Sequence, residues 1–379
     1  MRLGIDARFF GPQETGIGRY VERLISHLEQ IDQHNEYVLL LQPKAWDLWQ
    51  PKNSRWTKRL APERWYSLAE QVRMPARYRA ARVDLWHIPH FNVPLFWSGP
   101  FVVTIHDLIL NQFPTERAST LGPFLFRAKF LAYEATIRHA INQAAHVITV
   151  SSHSRQELLK RFPVSSDRVS VTYESVDPLP DPSEWSSVSE RGIQTPYLLY
   201  VGNSYPHKNL ERFLDGVELA QRRGENFQVV LVGKRDYFSR RLERLVHERG
   251  MKNILFYGFA SDQELAALYQ HAQAYFFPSL SEGFGLPGLE AMSMGTPVFA
   301  ARASCLPEVF GPAAAYFDPL NPTSIAQSIS QALHDTLERQ RLIAAGAARV
   351  QEFSWRRMAE ETLALYTSTH AQLTSKKRS

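Results

Sequence analysis

Residues 274–300 read AYFFPSLSEGFGLPGLEAMSMGTPVFA. The first four are apolar and aromatic, as in a strand buried on both faces. A glycine-rich turn follows, and Pro287 suits the first turn of a helix beginning near Gly285 or Leu286. Gly295 ends that helix, and Thr296-Pro297 leads into the next apolar run. The stretch is one strand–helix–strand unit of a parallel sheet. It also places Glu282 just ahead of the helix and Glu290 about one turn inside it. The N–H groups near Phe284, Gly285 and Leu286 have no partner within the helix and make an anion site suited to a phosphate. Carboxylates beside it accept hydrogen bonds from vicinal hydroxyls. The layout therefore fits a ligand with sugar, phosphate and ribose parts; the bland alternative is a solvated acid pair on a glycine-rich connector.

Outward from this unit the same alternation fills the chain. The first half offers RLGID (2–6), YVLLL (37–41), DLWHI (84–88), FVVTI (101–105), HVITV (146–150) and RVSVT (168–172). Helix-like runs cover 17–30 and 124–142. Residues 177–192, DPLPDPSEWSSVSERG, break the pattern and read as an interdomain linker. The alternation restarts with YLLYV (197–201), QVVLV (228–232), ILFY (254–257), AYFF (274–277) and PVFA (297–300), with helical runs over 210–221, 238–249 and 262–271. Strands of near-continuous apolar character spaced by helices indicate parallel sheets covered on both faces. Two such α/β domains in series are expected, over about 1–180 and 193–355.

Bulk properties are those of an ordinary globular protein. Of 379 residues, 44% are apolar and 21% charged, and the net charge is +5. The single cysteine, Cys305, excludes an internal disulfide and a cysteine-based metal site. No run reaches the roughly 18–20 apolar residues that span a bilayer. The N-terminus reads as a first strand, not a signal peptide. A cytoplasmic location is expected.

Ligands of open parallel sheets sit beyond the carboxyl ends of the strands, so the strand-end loops carry the chemistry. In YVGNSYPHKNL (200–210), Lys208 stands at the mouth of a helix starting near Asn209. The positive helix end disfavours a lysine there unless an anion is bound; a solvated surface lysine is the alternative. Lys234 and Arg235 have the same character. In FFGPQETGIGRY (9–20), Gly16 and Gly18 permit close backbone approach before a helix, or form a simple tight turn. The spacing is neither a dinucleotide fingerprint nor a P-loop. Arg19 either serves a phosphate or caps the surface. In TIHDL (104–108), His106 with Asp107 makes either an acid–base or hydroxyl-binding pair, or a satisfied buried histidine. His87 and His90 add imidazoles without metal-ligand spacing. Ser151 or Ser152 caps the helix that follows 147–150. Residues 44–82 hold ten Lys or Arg against three acids, with Trp46, Trp49, Trp56 and Trp65. The segment, joined by the basic 376–378 tail, either rests on an anionic membrane or is an outer face with its tryptophans tucked inward. Nucleic acid is the weakest reading, since no recognised module accompanies it.

EGFGLPGLEAMSMGTPV resembles the E-x7-E signature of retaining GT-B glycosyltransferases of family 4. VGNSYPHKNL, ETGIGRY and TIHDL resemble that family's lysine segment, N-terminal glycine loop and acceptor-side histidine segment, in the right order. The resemblance implies a GT-B fold, two Rossmann-like domains facing across a deep cleft, with the segment from about 356 to 372 packing back on the first. It implies that the second domain binds a nucleotide-sugar donor: Glu290 on the ribose, Glu282 on the sugar, and Lys208 on the diphosphate. Asn203, Lys234, Phe284, Gly285, Leu286, Gly16 and Gly18 line the donor, His106 contacts the transferred sugar, and Arg19 and Asp107 face the acceptor. Two positions depart from the pattern. Gly202 stands where many members place an arginine six residues before the lysine, and Glu174-Ser175 stands where relatives often show asparagine and glycine.

The implied activity is hexose transfer with retention, from GDP-mannose, to a saccharide or polyprenyl-diphosphate-linked hydroxyl in surface polysaccharide or lipopolysaccharide synthesis at the inner face of the cell membrane. UDP-glucose, GDP-fucose and dTDP-rhamnose are alternative donors. A nucleotide-sugar 2-epimerase and a non-catalytic basic membrane-docking protein are alternative functions. No cofactor, protein-bound metal or nucleic-acid partner is expected.

Overall fold

Strand β2 (Glu36–Leu41) shows how the first half folds. Tyr37, Leu39 and Leu41 enter one hydrophobic core, and Val38 and Leu40 enter another on the opposite face of the sheet. A strand buried on both faces must be apolar throughout, and this one is after its first residue. The computed structural model describes residues 1–11, 15–113, 123–182 and 184–376. Within it the chain forms two units, one of Met1–Leu108, Gly122–Glu174 and Ser354–Ser379, the other of Ile109–Leu121 and Ser175–Phe353.

The first unit holds β1 (Arg2–Asp6), β2, β3 (Trp56–Leu60), β4 (Leu85–Ile88), β5 (Phe101–Ile105), β6 (His146–Thr149) and β7 (Val169–Val171). They form a seven-stranded sheet in the order β3-β2-β1-β4-β5-β6-β7. Every pairing is parallel. Around it lie α1 (Thr15–Ile31), α2 (Leu68–Ala81), α4 (Pro123–Gln143) and α5 (Ser152–Arg161), while the short α3 (Ile109–Gln112) belongs to the other unit. In α1, Tyr20, Val21, Leu24, Ile25 and Leu28 form one buried stripe. The C-terminal helix α14 (Trp355–Lys376) packs on α1, and its Met358, Ala359 and Tyr366 join that core.

The second unit holds β8 (Tyr197–Val201), β9 (Gln228–Val232), β10 (Ile254–Gly258), β11 (Ala274–Phe277), β12 (Val298–Ala301) and β13 (Ala314–Phe317). Their order is β10-β9-β8-β11-β12-β13, again all parallel. Its helices are α6 (Trp185–Ser189), α7 (Leu210–Arg222), α8 (Tyr237–Glu248), α9 (Asp262–His271), α10 (Leu286–Ser293), α11 (Leu306–Phe310), α12 (Pro322–His334) and α13 (Thr336–Val350). Counted within its own unit, each sheet runs third, second, first, fourth, fifth, sixth, the doubly wound Rossmann order, and the first sheet adds a seventh strand at the end. The strand order reverses between β1 and β4 in one unit and between β8 and β11 in the other. Those two points are where ligands bind in such sheets.

Sequence reading overlooked β3 and β13. Both are edge strands, paired on one side only. WTKRL keeps only Trp56 fully buried, so its residues do not announce a strand. The charges along it also suit an edge that must not pair with another chain. The basic segment 44–82 thus contributes β3 and α2. Trp49 and Trp56 are buried in the core, and Trp46 and Trp65 pack against it. The tryptophans turn inward because their rings fill the space beside Tyr37 and Phe9; Tyr37 stacks on Trp56 at 3.9 Å and Phe9 on Trp65 at 3.6 Å. None of the four tryptophans is exposed. Among the described residues, no helix is long and apolar enough to cross a membrane. The tail beyond residue 376 lies outside the described residues.

Candidate active site

At the switch point of the second sheet, two loops meet. One follows β8 and runs Gly202–Asn209; the other follows β11 and runs Pro278–Gly285. The His207 carbonyl accepts the Leu280 N–H at 2.8 Å, and Asn209 Nδ2 donates to the Pro278 carbonyl at 3.2 Å. Asn209 holds a left-handed backbone, φ 59°, and so turns the chain from a 3-10 turn at Pro206–Lys208 into α7. This clasp brings Lys208 to Glu282. Lys208 Nζ lies 2.6 Å from Glu282 Oε1, and both side chains are largely buried. The pair uses Oε1 of the Glu282 carboxylate. Lys208 therefore ends the 3-10 turn and is paired with a carboxylate, where the sequence suggested a cation without a protein partner at the mouth of α7.

Glu282 is itself braced. Its N–H donates to Ser304 Oγ at 3.1 Å, and the Cys305 thiol donates to the Glu282 and Phe284 carbonyls at 3.2 and 3.3 Å. Burial pushes the Cys305 thiol well above its ordinary range, so it is a structural donor and not a nucleophile. Nothing in the sequence marked Ser304 or Cys305. Gly285 sits at φ 104° as the N-cap of α10, with Leu306 and Phe310 crowding the place of a Cβ. Only glycine fits that backbone and that space. The first-turn N–H of Leu286 has no partner within the helix. The Phe284 ring is buried edge-on to Phe353 at 5.4 Å, so only its backbone can face a ligand. Glu290, 5% exposed, accepts from the Tyr269 hydroxyl at 3.3 Å.

Gly202 and Gly233 touch through their backbones, since a Cβ on Gly233 would stand 2.0 Å from the Gly202 carbonyl oxygen. Asn203 follows on this loop, its carbonyl accepting from the Tyr200 hydroxyl at 2.7 Å. Lys234 and Arg235 are exposed beyond Gly233, and Arg235 pairs with Glu243 at 3.2 Å.

In the first unit, α1 begins at Thr15. Gly16 and Gly18 therefore lie in its first turn, not in a turn ahead of it, because the helix takes up the whole TGIG run. Residues 12–14 lie outside the described residues. Arg19 is half-buried on the same turn. His106 stands at the end of β5. Its carboxylate partner is Glu174, Nδ1 to Oε1 at 3.0 Å, and Nε2 faces the Pro89 carbonyl at 3.1 Å. Asp107, the neighbour in sequence, is not the ring's partner. The strand order explains this: β7 lies two strands from β5, and the chain leaving β7 swings back over the sheet edge. Both imidazole nitrogens face oxygen atoms of the protein. Tyr20 meets the ring edge-on at 4.8 Å.

Behind lies a buried chain of hydrogen bonds. Thr104 Oγ1 is 3.1 Å from the Tyr20 hydroxyl and 2.8 Å from His87 Nε2, and His87 Nδ1 is 2.5 Å from the Tyr366 hydroxyl of α14. Burial first, and His106 second, push His87 down to about 3, and likewise His90. Both are neutral at physiological pH and are satisfied core histidines. Among the described residues, no group of three His, Cys, Asp or Glu side chains could hold a metal ion.

Residues 183–349 match the model of glycosyl transferases group 1, and residues 15–178 match that of Glycosyltransferase Family 4. O-antigen chain mannosyltransferase B of Escherichia coli is 30% identical over 374 residues, covering 93% of this chain and 96% of that protein. The chain belongs to the family 4 glycosyltransferases. It is a nucleotide-sugar-dependent glycosyltransferase. O-antigen chain mannosyltransferase RfbU of Salmonella typhimurium is 26% identical over 293 residues, 76% of each chain. Among solved structures, sucrose-phosphate synthase from Thermosynechococcus elongatus superposes with a TM-score of 0.73 at 19% identity, covering 98% of this chain and 100% of that one. HepE from Anabaena, in complex with UDP and glucose, gives 0.71 at 19%, covering 97% and 99%. The fold of the family 4 enzyme is GT-B.

Proposed function

We propose that this glycosyltransferase moves mannose from GDP-mannose, with retention, to a hydroxyl of a lipid-linked or oligosaccharide acceptor in surface polysaccharide synthesis. The observation that carries the donor half is the Lys208–Glu282 pair, 2.6 Å apart at the switch point of the second sheet. Lys208 and the α10 N-terminus supply positive charge to a departing diphosphate, which electrostatic stabilisation of the leaving group requires. Glu282 Oε2 accepts from the sugar's hydroxyls and Glu290 from the ribose. Asn203, Lys234 and the Gly202–Gly233 contact border the nucleotide, and Gly16 and Gly18 of the first unit serve the diphosphate. His106 contacts the transferred sugar, while Arg19 and Asp107 serve the acceptor. Mannose is favoured by relatives named as mannosyltransferases across most of the chain. Glu282 and Glu290 are not a glycosidase pair, because one is held by Lys208 and the other is buried against Tyr269. Retention then rests on same-face attack, with the leaving phosphate taking the acceptor's proton.

The test is calorimetry with GDP-mannose, UDP-glucose, GDP-fucose and dTDP-rhamnose, followed by mass spectrometry of products and NMR of the new anomeric centre. GDP-mannose is expected to bind and Glu290→Ala to weaken it. Absence of nucleoside diphosphate affinity, or binding indifferent to Glu290→Ala, defeats the reading. A second expectation concerns Glu174. Glu174→Gln preserves shape but removes the charge-assisted bond to His106, and should lower kcat/KM by roughly tenfold or more with GDP affinity unchanged. A lower melting temperature at parental kcat/KM would instead show that Glu174 only holds the loop.

A further inference from the structure

Beneath the carboxyl edge of the first sheet lies a group of buried charges for which sugar transfer has no direct use. Arg8 pairs bidentately with Asp6, 2.8 and 2.7 Å, and with Glu70 at 2.8 Å. The second oxygen of Glu70 accepts the Tyr66 N–H at 2.8 Å and Asn92 Nδ2 at 2.7 Å. One buried carboxylate thus staples two loops, that entering α2 and that leaving β4. Each stapled position carries or adjoins an aromatic ring. Tyr66 is 65% exposed, and Phe91 is half-buried beside Asn92. Their rings lie 6.1 Å apart at 34°. Tyr133 of α4, half-buried and packed with Phe91 on the core beneath, meets Phe91 edge-on at 4.9 Å and 90°.

Tyr66 is held at φ 59°, a left-handed backbone that a bulky side chain adopts only under strain. Glycine or asparagine would suit the position better for folding alone. An exposed ring held there by a buried anchor points to a ligand. The Asp107 carboxylate, next to His106, acts electrostatically on both the Tyr66 and the Tyr133 phenols.

We propose that Tyr66, Phe91 and Tyr133 form a platform for a pyranose ring of the acceptor saccharide, with Asp107 accepting from its hydroxyls. The apolar C–H face of a pyranose stacks on aromatic rings while its hydroxyls stay at the polar rim, so the site needs rings and a few placed acceptors. An anionic headgroup is disfavoured by the Asp107 carboxylate, which acts on both phenols, and an alkyl chain has no use for it. The inference rests on the reading of the chain as a transferase to a sugar hydroxyl, and it names the acceptor class.

The experiment is saturation-transfer NMR of the full chain with the methyl α-glycosides of mannose, glucose, galactose and N-acetylglucosamine, and with n-octyl α-mannoside. GDP calorimetry is run on every variant. At least one methyl glycoside should receive saturation at its ring C–H protons, and Tyr66→Ala or Tyr133→Ala should weaken it about fivefold or more, with GDP affinity unchanged. Tyr66→Gly should lose the glycoside equally while melting no lower than the parent, because glycine takes this backbone without strain. Four silent methyl glycosides, unchanged binding in both alanine variants, or saturation confined to the octyl chain overturns the platform. If the parent binds no nucleoside diphosphate, the transferase reading itself fails.

Discussion

Lys208→Met should lower kcat by a factor of roughly 10²–10³, the usual cost of losing one preorganised stabiliser of developing negative charge. The substitution keeps length and apolar stem but removes the ammonium that lies 2.6 Å from Glu282. Its effect is twofold. The leaving diphosphate loses a cation, and Glu282 is left as an uncompensated carboxylate that repels the same diphosphate. The double variant Lys208→Met with Glu282→Gln separates the two. It should recover part of the GDP affinity lost in the single variant, since the repulsion is gone, but none of the turnover. Steady-state release of GDP and calorimetry measure the two quantities. A single variant with parental kcat would show that Lys208 is only a structural partner of Glu282.

Arg8→Met should destabilise the first unit by about 3–5 kcal/mol, the range for breaking a buried ion pair from one side. Asp6, Arg8 and Glu70 are each 0% exposed. Burial raises the Glu70 carboxyl, opposed by Arg8 and by the Asn92 hydrogen bond. Without Arg8 the main opposing influence disappears, and the folded state holds the Glu70 proton more tightly than the unfolded chain does. A folded-state value above the unfolded one means that stability falls as pH rises through that window. The deficit of Arg8→Met should therefore be largest at neutral pH and shrink toward the ordinary carboxylate range. Urea unfolding at several pH values tests this. Adding Asp6→Asn and Glu70→Gln should return part of the loss at neutral pH, because uncharged amides carry a smaller burial penalty. A deficit independent of pH would place its origin in packing against Trp65, whose ring lies 4.0 Å beneath the guanidinium.

Much of the candidate site was legible because its residues are neighbours in sequence. The run from Glu282 to Glu290 is a single turn and helix, so its shape follows from local rules: glycine for the left-handed cap at 285, proline in the first turn at 287, and glycine to close at 295. What escaped depends on partners far along the chain. Glu174 is 68 residues from His106, Ser304 is 22 from Glu282, and Tyr66 meets Phe91 across a sheet edge. Asp107 was the natural partner for His106 on adjacency, yet adjacent residues at a strand end point apart. The two overlooked strands lie at sheet edges; the charges of WTKRL hid one, and the other, AAYF, is an apolar run of only four residues.

By itself the amino-acid sequence determined that two parallel α/β domains form, where most of their strands lie, and which loops end at carboxyl edges. Those features depend on hydrophobic period and on backbone rules that act within a few residues. Only the tertiary structure decided the order of the strands, and with it which strand ends face one another at the switch points. It turned the tryptophans of residues 44–82 into the core, gave His106 to Glu174, and closed Lys208 onto Glu282. Each of these is a pairing between segments separated by many residues, and its geometry is selected by burial summed over the whole sheet, which no short window of sequence contains.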